Sequence, residues 1–345
     1  MILMILDKLK TVDPAIGAIK STDGAIYLSP GLQGRIFCSI GDELMHKLDF
    51  DLAQNPTDGF NNIGGNSLWP GPEGGAFAFN YPYGEWTVQE GINSVCPELT
   101  LEEKKGTMVK HITLHNAKGT DVKLEYKREV KALDAAGIAA KYGVKAVSYE
   151  SCDCFTAEGE YSVEDVILNS WTLEQFWGAE GITAFGKFDK EDAFVKEIIN
   201  DDFYGDPLVR IRLTDGLFVF ALGGPNRLQI GFKKDCLPRL IGAYDPSKDM
   251  LIIRKTDIRD GVYINIADND QKNGAYSTED VFSIFNGSNE LGFFELETIA
   301  PMEVRDGKFI RSELLSETVI YKGSKEQLAK LLCEYYQINS KEIIK

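Results

Sequence analysis

The sequence has no long hydrophobic run, which limits where the protein can reside. Its apolar start, MILMIL, ends at Asp7, whereas a helix that spans a membrane needs about 20 apolar residues. A secretory signal would also need a basic start, a longer apolar stretch and a cleavage site of small residues. We therefore expect a cytoplasmic protein with no membrane partner.

Positive charge is also scarce. The chain has 37 Lys and Arg residues against 53 Asp and Glu residues, which gives a formal net charge of −16. Proteins that bind nucleic acids present basic stripes to the phosphate backbone, and the sequence shows none. The charge therefore argues against a nucleic-acid partner and identifies no other partner.

Cysteine is rare as well, with six residues among 345. Six scattered cysteines are too few for a disulfide scaffold in a chain of this length. Cys152 and Cys154 are close together, but one intervening residue is not the spacing of a zinc knuckle. We interpret all six as ordinary thiols.

The sequence has three histidines, and none stands in a recognisable catalytic motif. His111 and His115 would lie about 13 Å apart on a strand, too far to chelate one ion, and His46 has no visible partner. The sequence contains no G-x-S-x-G elbow, P-loop or dinucleotide fingerprint. We predict no cofactor and no metal, with one alternative left open: calcium at the acidic segments Asp201-Asp202 and Asp268-Asn269-Asp270, otherwise solvated turns.

Strand patterns dominate the rest of the chain. In residues 122–132, apolar side chains alternate with lysines and glutamates, which predicts a strand with one solvent-facing side. About fifteen such segments, separated by Gly, Asn, Asp and Pro, predict a mainly β fold: a large antiparallel sandwich with few short helices. The helices are expected at 134–142 and at 325–336, the latter opened by a capping box of Ser324 and Gln327. No linker divides the chain, so residues 1–345 are predicted to form one domain.

Residues 64–75, GGNSLWPGPEGG, form the most distinctive segment. Glycine permits close approach and positive φ, and proline is disfavoured in central strands, so the segment predicts a shaped loop. Trp69 and Glu73 on such a loop suit the apolar face and the hydroxyl rim of a sugar. The alternative is a structural turn whose Trp69 covers the core.

Residues 291–301, LGFFELETIAP, form the second distinctive segment. Read as a strand, it places Phe293, Glu295 and Glu297 on one face. Burial and mutual repulsion would raise the pKa of one carboxyl, which could then act as a general base. An ordinary solvent-facing strand is the alternative.

Two further features remain ambiguous from the residues alone. Arg128 interrupts the apolar face of the 122–132 strand, so it either pairs with a carboxylate such as Glu73 or Glu297 or binds hydroxyls in a cleft. Trp171 and Trp177 suit sugar stacking or core packing, and we favour the core for Trp177.

Together these segments resemble the galactose mutarotase-like, or aldose 1-epimerase-like, superfamily, in a divergent bacterial branch. The similarity rests on GGNSLWPGPEGG, on GFFELETIAP followed by SETVIYKG, and on Gly34-Arg35-Ile36. It implies a large antiparallel β supersandwich that binds a sugar or a sugar derivative. It also implies that Glu297, in its Glu-Thr-x-x-Pro setting, is the catalytic base, with Glu295 beside it. Asn66, Trp69, Glu73, Arg128 and Trp171 are the expected substrate-binding residues.

The chain departs from the family at the histidines. The region of the family's early His-Gly-Gly element holds Trp69 instead, and the region of its mid-chain histidine holds Ser170-Trp171. General acid catalysis typically increases the reaction rate about 10²–10⁴-fold, so its loss would slow the family's ordinary mechanism by a similar factor. Three functions therefore remain open. The first is an isomerase that interconverts sugar anomers, with Glu73 or Glu295 as the acid, and the second is a carbohydrate-binding or sensing protein without turnover. The third and weakest is a lyase or hydrolase accessory role in polysaccharide use, since related supersandwich domains occur in such enzymes.

Overall fold

A computed structural model of the protein describes residues 2–190, 194–214, 216–268 and 274–344. Within these ranges the chain forms 21 strands, which in chain order are Gly17–Lys20 (β1), Gly24–Ser29 (β2), Arg35–Ile40 (β3), Glu43–Leu44 (β4), Gly65–Gly71 (β5), Glu98–Leu101 (β6), Lys105–His115 (β7), Asp121–Ala132 (β8), Lys145–Ser162 (β9), Asn169–Trp177 (β10), Thr183–Phe188 (β11), Ile199–Asn200 (β12), Ile211–Thr214 (β13), Leu217–Ala221 (β14), Leu228–Lys233 (β15), Pro238–Asp245 (β16), Met250–Thr256 (β17), Asp280–Asn286 (β18), Phe293–Ile299 (β19), Met302–Arg305 (β20) and Lys308–Lys322 (β21).

The helices of the described part are short. They are Ile2–Leu9 (α1), Phe50–Gln54 (α2), Glu90–Asn93 (α3), Ala136–Tyr142 (α4), Val195–Ile198 (α5), Ser288–Leu291 (α6) and Lys325–Glu334 (α7). Both helices that the sequence predicts are present, as α4 and α7. The capping box of α7 is confirmed: the Ser324 N–H donates to Gln327 Oε1 (2.7 Å) and the Gln327 N–H to Ser324 Oγ (3.4 Å). In the part of the chain that the structure describes, no helix has the length and apolarity to cross a membrane.

The strands form two large antiparallel sheets. The first sheet has the order β1-β2-β3-β5-β10-β19-β18-β15-β12, with β4 beside β3. The second has the order β13-β14-β11-β16-β17-β21-β9-β8-β7-β6, with β20 beside β21. Apolar side chains of both sheets share one buried cluster, including Cys38 and Phe176 from the first and Val130 and Ile252 from the second. The predicted mainly β sandwich is confirmed.

β8 shows how the alternating pattern produces this packing. Val122, Leu124, Tyr126 and Val130 are buried, whereas the lysines and glutamates between them are exposed or half-buried. Burial of each large apolar side chain contributes about 1.5–3 kcal/mol to folding, so the pattern fixes which face of the strand meets the first sheet.

The predicted loop at 64–75 is wrong in its first half, where the chain forms the central strand β5. β5 pairs with β10 along its whole length, but among the described strands it meets β3 only at the Ile36–Asn66 pair. At Pro70, β5 therefore pairs with β10 on one side and with no described strand on the other side. Opposite Pro70, the Ser170 N–H donates to Ser312 Oγ (2.7 Å) instead of to β5. The missing N–H of proline thus costs no ladder bond.

β10 has two chemically different faces: one meets the second sheet, and the other faces away from it. Glu174 faces the second sheet, where it pairs with Arg254 of β17 and accepts a hydrogen bond from Tyr149 of β9. Because side chains alternate along a strand, Trp171, Leu173 and Gln175 face away from the second sheet. The outward face of the first sheet therefore carries the site.

Candidate functional site

A cleft of about 250 Å³ lies on this outward face. Its floor comes from five adjacent strands (β5, β10, β19, β18 and β15), which supply Trp69, Trp171, Gln175, Glu295, Phe285 and Gln229. Its walls come from connecting segments, through Phe60, Glu73, Trp86, Tyr204 and Arg227. Small-molecule sites usually measure about 300–1,000 Å³, so this cleft suits a single small ring.

Aromatic rings form one side of the cleft. Trp69 meets Trp171 edge-on, with ring centroids 6.4 Å apart, and meets Phe60 at 5.5 Å. Trp86 extends the group, 5.6 Å from Phe60 and 6.5 Å from Trp69. Edge-to-face contacts at these distances stabilise aromatic clusters, so the rings have defined orientations.

Glu295 and Glu297 lie side by side on the outward face of β19, where their carboxyls influence each other's ionisation. Glu297 is fully buried, and its Oε2 accepts from Trp171 Nε1 (2.8 Å) and from Gln229 Nε2 (3.2 Å). Glu295 lines the cleft, and its Oε1 accepts from Gln175 Nε2 (2.5 Å). A ligand in the cleft would therefore meet Glu295 before Glu297.

The surroundings of the pair decide which carboxyl holds a proton. Burial raises the pKa of both groups, and at Glu297 burial together with the charge of the neighbouring Glu295 raises the pKa well above its usual range. Hydrogen bonding from Gln175 and Glu297 opposes this rise in the pKa of Glu295, and the charges of Lys47 and Arg35 add to that effect, because all of them favour its ionised form. The pair titrates as a unit, and the arrangement assigns the first ionisation to Glu295 and the retained proton to Glu297.

A third carboxyl, Glu73, lines the cleft from the segment that follows β5. Its Oε1 accepts from Trp86 Nε1 (3.4 Å). Burial raises the pKa of Glu73, which favours its protonated form. Arg227, stacked over Tyr204 with the guanidinium carbon 5.0 Å from the ring centroid, lies on the same wall.

Three buried polar atoms in the cleft lining have no hydrogen-bond partner among the described residues. They are Asn62 Oδ1, Trp69 Nε1 and Gln175 Oε1. Buried polar groups in folded proteins are nearly always paired, so three such atoms in one lining need an explanation. They comprise one donor and two acceptors on residues that line the cleft, and the atoms themselves are covered by their neighbours.

Two of the predicted binding residues lie outside the cleft lining. Arg128 does face inward, but its partner is Asp153 (Nε–Oδ1 2.6 Å), not Glu73 or Glu297. Its other nitrogens donate to Asn66 Oδ1 (2.7 Å) and to the carbonyls of Asn66 and Gly34. Asn66 is fully buried on the inner face of β5, so Ser67, its neighbour on the outer face, lines the cleft instead. These contacts tie β5 to the second sheet.

The three histidines all lie away from the cleft lining. His46 is buried between the sheets, where its Nδ1 accepts from the Cys38 N–H (3.0 Å), so its Nε2 carries the proton donated to Glu174 (2.6 Å). The sequence shows no partner for His46 because Glu174 lies 128 residues away along the chain. His111 and His115 pair separately, with Glu158 and Asp121.

Other sequence predictions have mixed outcomes. Trp177, predicted to lie in the core, is 38% exposed at the end of β10, where its ring centroid lies 5.0 Å from Lys47 Nζ.

All six cysteines are free, as predicted. Asp202 accepts from Asn265 Nδ2 (2.7 Å). Asn269 and Asp270 lie outside the described residues, among which no group of three or more His, Cys, Asp or Glu side chains is placed to hold a metal.

Several cleft residues are not predicted from the sequence, and Gln175 and Gln229 are the most important of them. Gln175 shares a face with Trp171 in the alternation of β10, so that pattern could have identified it. Gln229 and Tyr204 come from distant segments, and only the pairing of β15 with β18 and of β18 with β19 brings Gln229 within hydrogen-bond distance of Glu297.

Residues 6–345 match the family of unknown function DUF6786. The chain belongs to this family. No curated protein matches the DUF6786 chain.

Solved structures show the fold of the DUF6786 chain. It is similar to a candidate aldose 1-epimerase from Escherichia coli K12, with 12% identity and a TM-score of 0.51 over 89% of this chain and 98% of that chain. It is also similar to the Slr1438 protein from Synechocystis sp. PCC 6803, with 12% identity and a TM-score of 0.50 over 89% and 94%. The DUF6786 chain therefore has the galactose mutarotase-like fold that its sequence predicts.

Proposed function

We propose that the cleft binds an aldose and interconverts its anomers, as an aldose 1-epimerase does. The observation that carries this proposal is the convergence of Glu295, Glu73 and residues with unpartnered polar atoms in one aromatic-lined cleft, with Glu297 buried beside Glu295. The similarity to the Escherichia coli protein supports the same reaction class by analogy of fold alone.

Recognition of a sugar would use the unpartnered atoms, which small side-chain shifts on binding would uncover. The Trp69 Nε1–H would donate to a sugar oxygen, and Gln175 Oε1 and Asn62 Oδ1 would accept from hydroxyl groups. A sugar hydroxyl both donates and accepts, so one ligand can satisfy all three atoms. The apolar edges of Trp69 and Trp171 would meet the C–H face of the ring.

The two carboxyls that line the cleft would divide the acid–base work. Ionised Glu295 would take the proton of the anomeric hydroxyl, while protonated Glu73 would give its proton to the ring oxygen. The bond between the anomeric carbon and the ring oxygen then breaks, and the sugar opens to the aldehyde. Rotation and the reverse transfers close the ring in the other anomer and restore both carboxyls.

Glu297 would position the base without contacting the sugar. The family resemblance implies Glu297 as the base, but Glu295 is the member of the pair that lines the cleft. Protonated Glu297 would hold Glu295 by a hydrogen bond and would itself be held by Trp171 and Gln229.

A second function, sugar binding without turnover, is favoured by one observation. All three histidines lie away from the cleft lining, so the acid role falls to a glutamate whose hydrogen bond to Trp86 lowers its pKa and partly offsets burial. A protein of this kind would keep the recognition groups and omit the chemistry.

Exchange NMR of aldose anomers separates the two functions. For a panel of common hexoses and pentoses, we expect the protein to accelerate α/β exchange of at least one sugar. Glu295→Gln and Glu73→Gln should each reduce that acceleration about 10²–10⁴-fold. Glu98→Gln, an exposed glutamate on β6, is the matched control and should change nothing. Measurable binding without acceleration for any sugar would establish the binding function and refute the enzymatic one.

A further inference from the structure

A second and larger cavity adjoins the cleft. It measures about 910 Å³, and we call it the outer pocket; Phe60, Tyr83, Trp86, Thr113, His115 and Asp121 are among its lining residues. Phe60 and Trp86 line both the cleft and the outer pocket, so these two rings form the boundary between them. A ligand too long for the cleft would pass over this boundary into the outer pocket.

The outer pocket presents aromatic surface to solvent. Tyr83 is 80% exposed and Trp86 is 43% exposed. Single exposed apolar residues are ordinary, but two large aromatic rings on one concave surface next to a candidate site indicate a binding surface.

Both rings are held in place by their neighbours. Tyr83 stacks on His115 with centroids 5.1 Å apart and an interplanar angle of 18°. His115 is fixed in turn by Asp121, whose Oδ1 lies 2.7 Å from His115 Nδ1. Trp86 donates to Glu73, the candidate acid of the cleft. Rings fixed in advance lose little conformational entropy when a ligand binds.

The charges around the outer pocket select the class of ligand. Its lining includes the acidic residues Asp58, Glu85, Glu90 and Asp121, and none of the described lining residues is lysine or arginine. Such a surface repels phosphorylated or carboxylated ligands. Aromatic rings with acidic and amide acceptors suit a neutral molecule rich in hydroxyl groups.

We propose that the outer pocket is a second sugar subsite, which binds the next unit of an uncharged reducing oligosaccharide whose reducing ring occupies the cleft. This inference rests on the proposed function, because it takes the cleft to hold the reducing sugar. The preferred substrate is then a disaccharide or a longer chain, and a monosaccharide fills only part of the site.

Calorimetric titration of neutral reducing disaccharides and of their monosaccharides tests the subsite. We expect at least one disaccharide to bind about tenfold more tightly than its reducing monosaccharide. Tyr83→Ala should remove that advantage and leave monosaccharide affinity unchanged, because Tyr83 lines the outer pocket but not the cleft. Tyr276→Ala, at an exposed tyrosine outside both cavities, is the control and should behave like the unsubstituted protein.

The outcomes separate this inference from the proposed function. Equal affinity for disaccharides and monosaccharides, or an unchanged disaccharide advantage in Tyr83→Ala, would overturn the subsite even if monosaccharide anomers are interconverted. Disaccharide binding that depends on Tyr83 but not on Trp69, tested with Trp69→Ala, would refute the cleft as the reducing-sugar site. That result also overturns the two-subsite arrangement. Absence of binding for every sugar in the panel would overturn both.

Discussion

Two buried glutamates of the first sheet are held in opposite protonation states by their surroundings. Burial raises the pKa of Glu297 well above its usual range, and the neighbouring Glu295 adds to the rise. Burial also acts to raise the pKa of Glu174, but Arg254, His46 and Tyr149 outweigh it and lower that pKa to about 2. Glutamate is therefore held protonated on one face of the sheet, at Glu297, and ionised on the other face, at Glu174.

Replacing each glutamate by glutamine should change stability in opposite directions. At pH 7 the unfolded chain ionises Glu297, whereas the fold holds it protonated, so its raised pKa costs stability as pH rises above about 4.3. Glu297→Gln should therefore raise the free energy of unfolding at pH 7 by about 1–3 kcal/mol, and by less at pH 4. Urea unfolding at both pH values measures this, and a loss of stability at pH 7 would contradict it.

Glu174→Gln is the matched comparison. The depressed pKa of Glu174 contributes stability that is present above the unfolded pKa and is lost as pH falls toward about 2. Removing its charge leaves Arg254 buried without a carboxylate, which should cost about 3–5 kcal/mol at pH 7. A cost below about 1 kcal/mol would show that the Glu174–Arg254 pair is unimportant.

The proposed acid–base roles predict a bell-shaped dependence of anomer exchange on pH. Exchange requires ionised Glu295, whose pKa burial raises, so the rate should fall as pH drops through a value above 4.5. It also requires protonated Glu73, so the rate should fall again at higher pH. In Glu73→Gln the high-pH limb should disappear from the residual activity. A profile that is flat from pH 4 to pH 9 would contradict both assignments.

At the scale of the element, alternation along strands predicts which side chains share a face, but it does not predict which residues they contact. It placed Glu295 and Glu297 together on one face and turned Arg128 inward, and both predictions are confirmed. It did not reveal that Arg128 meets Asp153, because that contact depends on the register between β8 and β9. The same limit applies to Asn66. Because residues 64–75 are predicted to form a loop rather than the strand β5, alternation cannot be used to predict which face of the sheet the Asn66 side chain occupies.

The contacts of Arg128 with β5 and β9 predict a stability role. Arg128→Ala leaves Asp153 buried without its partner and removes the bonds to Asn66, which should cost about 3–5 kcal/mol. Arg227→Ala, which removes an exposed guanidinium at the cleft wall, is the control and should change stability by about 0.5 kcal/mol or less. Denaturant midpoints of the two variants measure the difference. Similar midpoints would contradict the assignment of Arg128 to the framework.

At the scale of the whole molecule, the four tryptophans lie on the cleft side of the first sheet. Trp69, Trp171 and Trp177 belong to β5 and β10, and Trp86 lies over the cleft. Intrinsic fluorescence therefore reports on one sheet, whereas far-ultraviolet circular dichroism reports on both. The sequence predicted the sandwich from its many short strands, but strands as distant as β3, β5 and β10 become neighbours only through packing.

This distribution gives a test of the prediction that residues 1–345 form one domain. If the two sheets unfold as one cooperative unit, the fluorescence and dichroism curves in urea should coincide. Two transitions, with fluorescence following only one, would show that the sheets unfold separately and would contradict a single domain.

The central claim is that the cleft binds a carbohydrate. Its most direct test is a titration of the protein at pH 7 with a panel of neutral aldoses and reducing disaccharides, in which tryptophan fluorescence is the signal that is measured. Three tryptophans line the cleft, so we expect a saturable change for at least one sugar. Affinity should fall about tenfold in Trp69→Phe, which loses the Nε1 donor, and stay unchanged in Trp177→Phe. Absence of saturable binding, or binding that Trp69→Phe leaves intact, would contradict the assignment of this cleft to carbohydrate.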